Sequence, residues 1–292
     1  MQSQLNHIEH YQEWRAAKLA AWSRLKTEAA ICIQDPSLLT STEYQQLARQ
    51  MAETNLAIYR FKQPDKVDRS TIQRFCEQIG MHQLDQNLCA DKDSISALQV
   101  MPMGRAQGYI PYSDQRLNWH TDGYYNPPGY EIRSFLLHCV HSAAEGGSSR
   151  LLNHELLYIA LYDVNPELCR ALMATDSMTI PANIENGIEL RPAQSGPVFF
   201  TTADSGTLNM RYTARSRSIQ WKDSELIASA IKQINTELES SDAILDYRLK
   251  AGEGVICNNL LHARTAFTNG NIPQQQRLLY RVRSYNRLFP EE

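Results

Sequence analysis

Apolar and polar positions along the chain fall into two textures that meet near Leu98. Before that point the pattern is mixed. Residues 5–30 have helix-forming composition, with Trp14, Leu19, Trp22 and Leu25 spaced for one apolar face. Ile31-Cys32-Ile33 reads as a short strand. Ser41-Thr42-Glu43-Tyr44 resembles an N-capped helix start leading into Tyr44–Asn55. Leu56–Phe61 then predicts a strand, and Arg69–Gly80 a helix stopped by its glycine. From Leu98 onward short strands are separated by turn residues. They are expected at Leu98–Met101, Arg116–His120, Ile132–Cys139, Ser149–Leu152, Pro197–Thr202, Leu208–Tyr212, Leu245–Leu249, Gly254–Asn258 and Arg277–Tyr285. Gly146-Gly147, Ala203-Asp204-Ser205-Gly206 and Gly252-Glu253-Gly254 supply turns. Two helices interrupt, His154–Val164 and Asp223–Ser240, the second striped by Leu226, Ile227, Ile231, Ile234 and Leu238. The pattern predicts a mainly β fold with flanking helices, a sandwich or barrel of jelly-roll type behind an N-terminal α/β extension. No Pro/Ser-rich linker divides it, so residues 1–292 are expected to form one domain, with 1–30 as a helical extension.

Composition narrows the function by exclusion. A chain of 292 residues can bury a large core without staples. A net charge of −3 gives no general attraction to nucleic acid or to an anionic membrane, so neither partner is expected. No apolar stretch reaches membrane-spanning length, and the polar N-terminus is unlike a secretory signal. Six scattered cysteines form no Cys-x-x-Cys pair, and several, such as Cys257, sit in apolar runs. Buried free thiols of a reducing compartment are expected, and hence the cytoplasm.

The candidate chemistry begins with His120 and Asp122. A His-x-acid triplet is cheap, since chance gives about one in this composition. His7-Ile8-Glu9 is another, but in a helix its two side chains point apart. His120 and Asp122 follow a predicted strand, where residues i and i+2 project to one side and can reach one ion. His262, 140 positions beyond Asp122, ends the apolar run Gly254–Asn258 through Asn259-Leu260-Leu261 and is the best third ligand. Two imidazoles and one carboxylate leave three positions open, the donor set of non-haem Fe(II) oxygenases, and no cysteine accompanies either motif to suggest structural zinc. Of the other histidines, His138 and His141 read as core or strand-edge residues. His154 reads as a capping or surface residue, and His82 as structural or exposed.

Arginines add a second feature. In Arg277-Leu278-Leu279-Tyr280-Arg281-Val282-Arg283, period two places Arg277, Leu279, Arg281 and Arg283 on one face. The three guanidiniums therefore line a cavity or face water. Arg211, Arg215 and Arg217 share a phase if the strand over Leu208–Tyr212 continues. Arginine forks bind carboxylates bidentately where water is excluded, so an anionic co-substrate or substrate would account for both sets. Exposed arginines would instead suit an anion or nucleic-acid binder.

The combination Trp119-His120-Thr121-Asp122, Gly146-Gly147-Ser148-Ser149, Asn258-Asn259-Leu260-Leu261-His262-Ala263-Arg264 and Arg277-Leu278-Leu279 resembles the taurine dioxygenase-like (TauD/TfdA) family, which includes γ-butyrobetaine hydroxylases. The likeness runs in order over residues 30–288. It implies an Fe(II)- and 2-oxoglutarate-dependent dioxygenase on a double-stranded β-helix, consuming O2, acting on a small molecule and assembling as a homo-oligomer. By position it implies iron ligation by His120, Asp122 and His262. Arg277 would bind the distal carboxylate of 2-oxoglutarate, with Ser149 as a second contact. Arg281, four residues on, matches a position near the substrate's anionic end, and Tyr112, Asn118, Arg215 and Arg283 are further pocket residues. Arg283 stands where γ-butyrobetaine hydroxylases carry a cage tyrosine, and a cation there repels trimethylammonium. The resemblance thus implies hydroxylation of a small anionic or zwitterionic metabolite, with release of succinate and CO2. A non-catalytic iron- and 2-oxoglutarate-binding sensor on the same fold is the alternative.

Overall fold

Alternation along the strands sorts the apolar side chains into three buried clusters, and these define the layers of the computed structural model, which describes residues 8–86, 93–101, 110–202 and 206–289. A six-stranded sheet has the order Ile31–Ile33, Leu56–Phe61, Glu253–Cys257, Ser134–His141, Leu278–Ser284, Ser96–Leu98. Its first two strands pair parallel and the others antiparallel. A four-stranded antiparallel sheet has the order Leu245–Tyr247, Ser149–Leu152, Leu261–Arg264, Leu117–His120. Phe135, Cys139, Val255, Cys257 and Leu279 from the larger sheet meet Leu151 and Leu245 from the smaller in one cluster. The intervening residues Leu136, Ile256 and Val282 turn the other way, onto Leu47, Met51, Ile72 and Phe75 of helices Ser41–Thr54 and Arg69–Gln78. In the smaller sheet Leu152, Leu261 and Ala263 face outward onto helices His154–Val164, Pro166–Leu172 and Glu225–Ser240. Helices therefore cover the outer face of each sheet, and the inner faces share a core. Among the described residues no helix is long and apolar enough to cross a membrane.

Local signals and packing agree over most of this frame. Leu56–Phe61, Ser149–Leu152 and His154–Val164 have the expected bounds. The second helix is capped one residue earlier than its sequence suggests. Thr40 and Glu43 close a reciprocal capping box, the Thr40 hydroxyl accepting from the Glu43 N–H at 3.2 Å. In the first helix, Ile8–Leu25, Trp22 and Leu25 are buried but Leu19 is 38% exposed, so the apolar face is narrower than expected. Leu226 likewise faces outward while Ile227, Ile234 and Leu238 are buried. His7, Cys89 and the turn residues 203–205 lie outside the described residues. The five described cysteines are free thiols, four of them buried.

Two features depart from the expected pattern. A β-ribbon over Met178–Ile180, Asn183–Glu185, Ile188–Arg191 and Gln194–Gly196 was not expected. Its tip turns at Asn186 and Gly187, φ +52° and +80°, and an Asn-Gly pair between apolar residues is the signal that marks it. The second departure matters for function. His262 does not end the strand that contains Val255. That strand stops at Cys257, the chain passes through Asn259 at φ +50°, and a new strand, Leu261–Arg264, starts in the other sheet. A left-handed residue reverses the chain direction locally, which is how one apolar run serves two sheets.

Gly254 sits where two strands and a ring converge. A Cβ there would lie 2.3 Å from the Tyr59 ring and 2.6 Å from the Leu137 carbonyl oxygen. Gly254→Ala should therefore destabilise the protein by about 1–3 kcal/mol, through overpacking that paired backbone cannot relieve. Urea denaturation checks this, and an unchanged midpoint would mean that the sheet yields.

Candidate metal centre

Three potential ligands meet where the two sheets face each other. His120 is the last residue of its strand, and His262 is its direct partner on the neighbouring strand. Asp122 lies two residues further, beyond the strand end. One donor atom from each residue lies within 4.8 Å of the others, and all three residues are buried. The His120 Nε2 to Asp122 Oδ1 distance is 4.0 Å, and the two rings are 4.2 Å apart between centroids. The strand alternation expected to aim both side chains holds for His120 only. Asp122 is aimed by the turn.

Ring orientation follows from hydrogen bonds to the histidines' own chain. His120 Nδ1 lies 2.8 Å from the Asn118 carbonyl oxygen, and His262 Nδ1 lies 2.9 Å from that of Leu260. A carbonyl only accepts, so each Nδ1 carries the proton and each Nε2 keeps a lone pair for a metal. Burial pulls the His120 pKa down to about 3, with His262 adding to the shift, and burial also lowers that of His262. Both imidazoles are neutral at neutral pH. Burial alone would raise the Asp122 carboxyl, but the guanidiniums of Arg281 and Arg283 outweigh it and hold it below the usual carboxylate range. Their Nη1 atoms lie 3.4 and 3.7 Å from Asp122 Oδ1. Asp122 Oδ2 is buried without a hydrogen-bond partner.

Arg281 and Arg283 lie on the strand Leu278–Ser284 with Asp122 beside both, whereas Arg277 precedes the strand, ahead of a register shift between Leu278 and Leu279. Arg283 is bound on both sides, to Asp122 and through Nη2 to the buried carboxylate of Asp85, which also accepts from the Tyr285 hydroxyl. Arg277 is 5% exposed and stacks over Phe267 at 5.1 Å, with its Nη1 buried and without a partner. Burial draws its pKa down to about 10. Arg264 lies 4.9 Å from the same ring, but it donates to the carbonyls of Ile110, Pro111, Ser113 and Gln115.

The remaining expectations divide. Tyr112 is buried in the cluster between the sheets, with Phe135 and Leu279. Ser149 is buried on its strand opposite Arg264. The Asn118 residue is exposed, and only its carbonyl reaches the site, through His120. The second arginine set does not share a phase, because its strand stops at Met210. Arg211 instead donates to the Met178 and Gly196 carbonyls at the base of the β-ribbon, at 2.5 and 3.3 Å. Arg215 and Arg217 are exposed. His154 is buried, not a surface or capping residue: its Nε2 meets the Leu208 carbonyl at 2.9 Å, and Asn153 caps the helix. His138 packs in the core against Tyr59 and Phe61, while His82 is exposed. Asp85, Asn259 and Phe267 escaped sequence reasoning because each matters only through a tertiary contact.

Two neutral imidazoles and a carboxylate form a donor set that suits a mononuclear iron site. The chain belongs to the taurine catabolism dioxygenase TauD, TfdA family, whose model matches residues 17–283. It is accordingly a dioxygenase, an oxidoreductase whose cofactors are Fe(II), 2-oxoglutarate and O2. A uridine-5'-phosphate dioxygenase of a Streptomyces species is 28% identical over 201 residues, covering 66% of this chain and 70% of that protein. One from an Amycolatopsis species is 27% identical over 193 residues, 64% of this chain and 66% of that protein. Among solved structures, asparagine oxygenase in complex with Fe(II), 3-hydroxyasparagine and succinate superposes with TM-score 0.60 at 14% identity, over 95% of this chain and 92% of that one. A taurine dioxygenase from Burkholderia xenovorans gives 0.58 at 15% identity, over 88% of each chain. At these identities the two structures speak for the fold.

Burial of neutral imidazoles and of the Asp85–Arg283 pair has measurable consequences for stability. Burial also lowers His138 to about 3 and His154 to about 4. Unfolded imidazoles bind a proton near pH 6.5, so below that pH unfolding takes up protons and favours the unfolded chain. Stability of the metal-free protein should be complete above pH 6.5 and fall toward pH 4, by at least about 2 kcal/mol between pH 7 and 5. Denaturation midpoints at the two pH values check it, and equal midpoints would refute it. Asp85→Ala, which leaves Arg283 only Asp122 at 3.7 Å and removes the acceptor of the Tyr285 hydroxyl, should cost about 3 kcal/mol, whereas Arg215→Ala should change stability by less than about 0.5 kcal/mol. Equal effects in the same assay would mean that the Asp85–Arg283 pair is solvated.

Proposed function

We propose that His120, Asp122 and His262 bind the ferrous ion, and that Arg277 takes the distal carboxylate of 2-oxoglutarate. The two facing sheets are then a double-stranded β-helix, a jelly roll. The observation that carries this reading is the grouping of two imidazole nitrogens and a carboxylate oxygen within 4.8 Å of one another. Asp122 Oδ2 and Arg277 Nη1 are among the buried polar atoms without a partner, the first suited to a cation and the second to an anion. A buried donor left unpaired costs about 1–3 kcal/mol, so an anion arriving at Arg277 recovers that cost. Ser149 is the second co-substrate contact.

Bound iron supplies the means to couple O2 to the oxidative decarboxylation of 2-oxoglutarate. The substrate gains one oxygen atom as hydroxyl, and the other oxygen enters succinate as CO2 leaves. The chain's own contribution is to orient the donors, exclude water and set the charge. A ferrous ion, dianionic 2-oxoglutarate, Asp85, Asp122, Arg277, Arg281 and Arg283 together leave one positive charge over. A small substrate with an anionic group balances it. Arg281, 11% exposed at its side chain and beside Asp122, is the residue to meet that group. Tyr112 forms an inner wall, while Asn118 and Arg215 stand at the exposed rim. The relatives named for uridine-5'-phosphate make a phosphate-bearing small molecule the first class to test.

Asp122→Ala and His262→Ala should each abolish succinate formation from 2-oxoglutarate while circular dichroism stays unchanged. Turnover in either variant would reassign the ligand. Arg277→Ala removes a charge-assisted bond of about 1.5–3 kcal/mol, so the KM for 2-oxoglutarate should rise about 10- to 150-fold. An unaltered KM would give that role to another cation.

A further inference from the structure

The two histidines are aimed by carbonyls two residues before them in the chain, but Asp122 has no such support. It stands past the end of the Leu117–His120 strand, just after Thr121, whose N–H donates to the Tyr212 carbonyl at 2.9 Å. What receives the Asp122 main chain is a side chain. The Asp122 N–H donates to Asn259 Oδ1 at 2.8 Å, and Asn259 Nδ2 donates to the Asp122 carbonyl at 3.0 Å. The same Nδ2 donates to the Ile132 carbonyl at 2.6 Å. One primary amide thus does for Asp122 what a neighbouring strand does for His120, closing a pair of opposed hydrogen bonds. It also ties the turn to the segment that leads into the Ser134–His141 strand.

Asn259 holds a second position at the same time. It is the left-handed residue, φ +50°, through which the chain leaves the larger sheet and enters the smaller, three residues before His262. Asparagine tolerates this region better than most residues with a side chain. Its backbone therefore helps direct the strand of one ligand, while its amide grips the main chain of another. We propose that Asn259 is the positioning residue of the metal centre, setting the distance between Asp122 and the two imidazoles before metal arrives. The proposal rests on Asp122 and His262 being ligands. Its neighbour Asn258 is a natural control. The Asn258 amide makes an equally buried clamp, donating to the Leu288 carbonyl at 3.2 Å and accepting from the Leu288 N–H at 3.0 Å, without touching a ligand.

The test is the affinity of the full-length apoprotein for Co(II), read anaerobically from its d–d spectrum, alongside thermal stability. Asn259→Gly keeps the left-handed backbone accessible and deletes the amide. Asn259→Asp keeps size and one acceptor but turns an oxygen toward the carbonyls of Asp122 and Ile132. Both should weaken Co(II) binding about 10- to 100-fold, the range for groups that orient metal ligands, and alter the band shape. Asn258→Ala should lower the melting temperature yet bind Co(II) as the wild type does. Wild-type Co(II) affinity and spectrum in the Asn259 variants would overturn the proposal. So would equal loss of affinity in Asn258→Ala, which would make the effect one of general stability. If Asp122→Ala and His262→Ala also bind Co(II) normally, the ligand assignment fails instead, and the two failures are distinguishable.

Discussion

A carboxylate only 5% exposed, with two guanidiniums beside it, is the constraint around which this site is arranged. An ionised carboxylate taken out of water without compensation costs several kcal/mol, and it would protonate rather than stay charged. Arg281 and Arg283 prevent that for Asp122, and Asp85 in turn balances Arg283. Charge alternates in this way along the terminal strand from Arg281 through Asp122 and Arg283 to Asp85. The protein keeps a buried carboxylate ionised at the cost of burying two cations whose own partners must be supplied.

The terminal strand shows how a simple period becomes a graded electrostatic surface. Its inward residues alternate with Tyr280 and Val282, which pack beneath the helices. Arg277 stacks on an aromatic ring and retains an unpaired N–H, Arg281 leans on the Asp122 carboxylate, and Arg283 is held on both sides. Three arginines between positions 277 and 283 thus carry three different charge environments. Only the neighbours from other elements, Phe267, Asp122 and Asp85, separate them. An anion entering near Arg277 meets a donor in need of a partner, whereas near Arg283 it would compete with carboxylates already in place.

Much of the frame was legible along the chain because it obeys local rules. Period-two burial, the capped helices and the glycine turns placed most strands and helices within a few residues. His120 could be picked out because it ends a predicted strand, His262 because it follows an apolar run, and Arg277 because the spaced motifs resemble a known family. Failures occurred where a local rule was overridden. Extrapolating the strand past Met210 put Arg211, Arg215 and Arg217 in one phase, but the chain turns there and the side chains scatter. His154 was read from its neighbours in sequence as a helix-start residue, yet the Leu208 carbonyl draws it into the core.

The sequence by itself determined the donor types, their order and the spacing of the arginines, since these depend on residue identity and on periods the backbone imposes. Tertiary structure alone decided how the donors meet. His262 reaches His120 because Asn259 breaks one apolar run into strands of two sheets, a left-handed turn that composition does not announce. Asp122 faces them because a side-chain amide 137 positions away satisfies its main chain. The motif that drew attention first, His120-Thr121-Asp122, supplies two of the three clustered donors. Their geometry is set from the far end of the chain, where hydrogen bonds between distant segments are made only on folding.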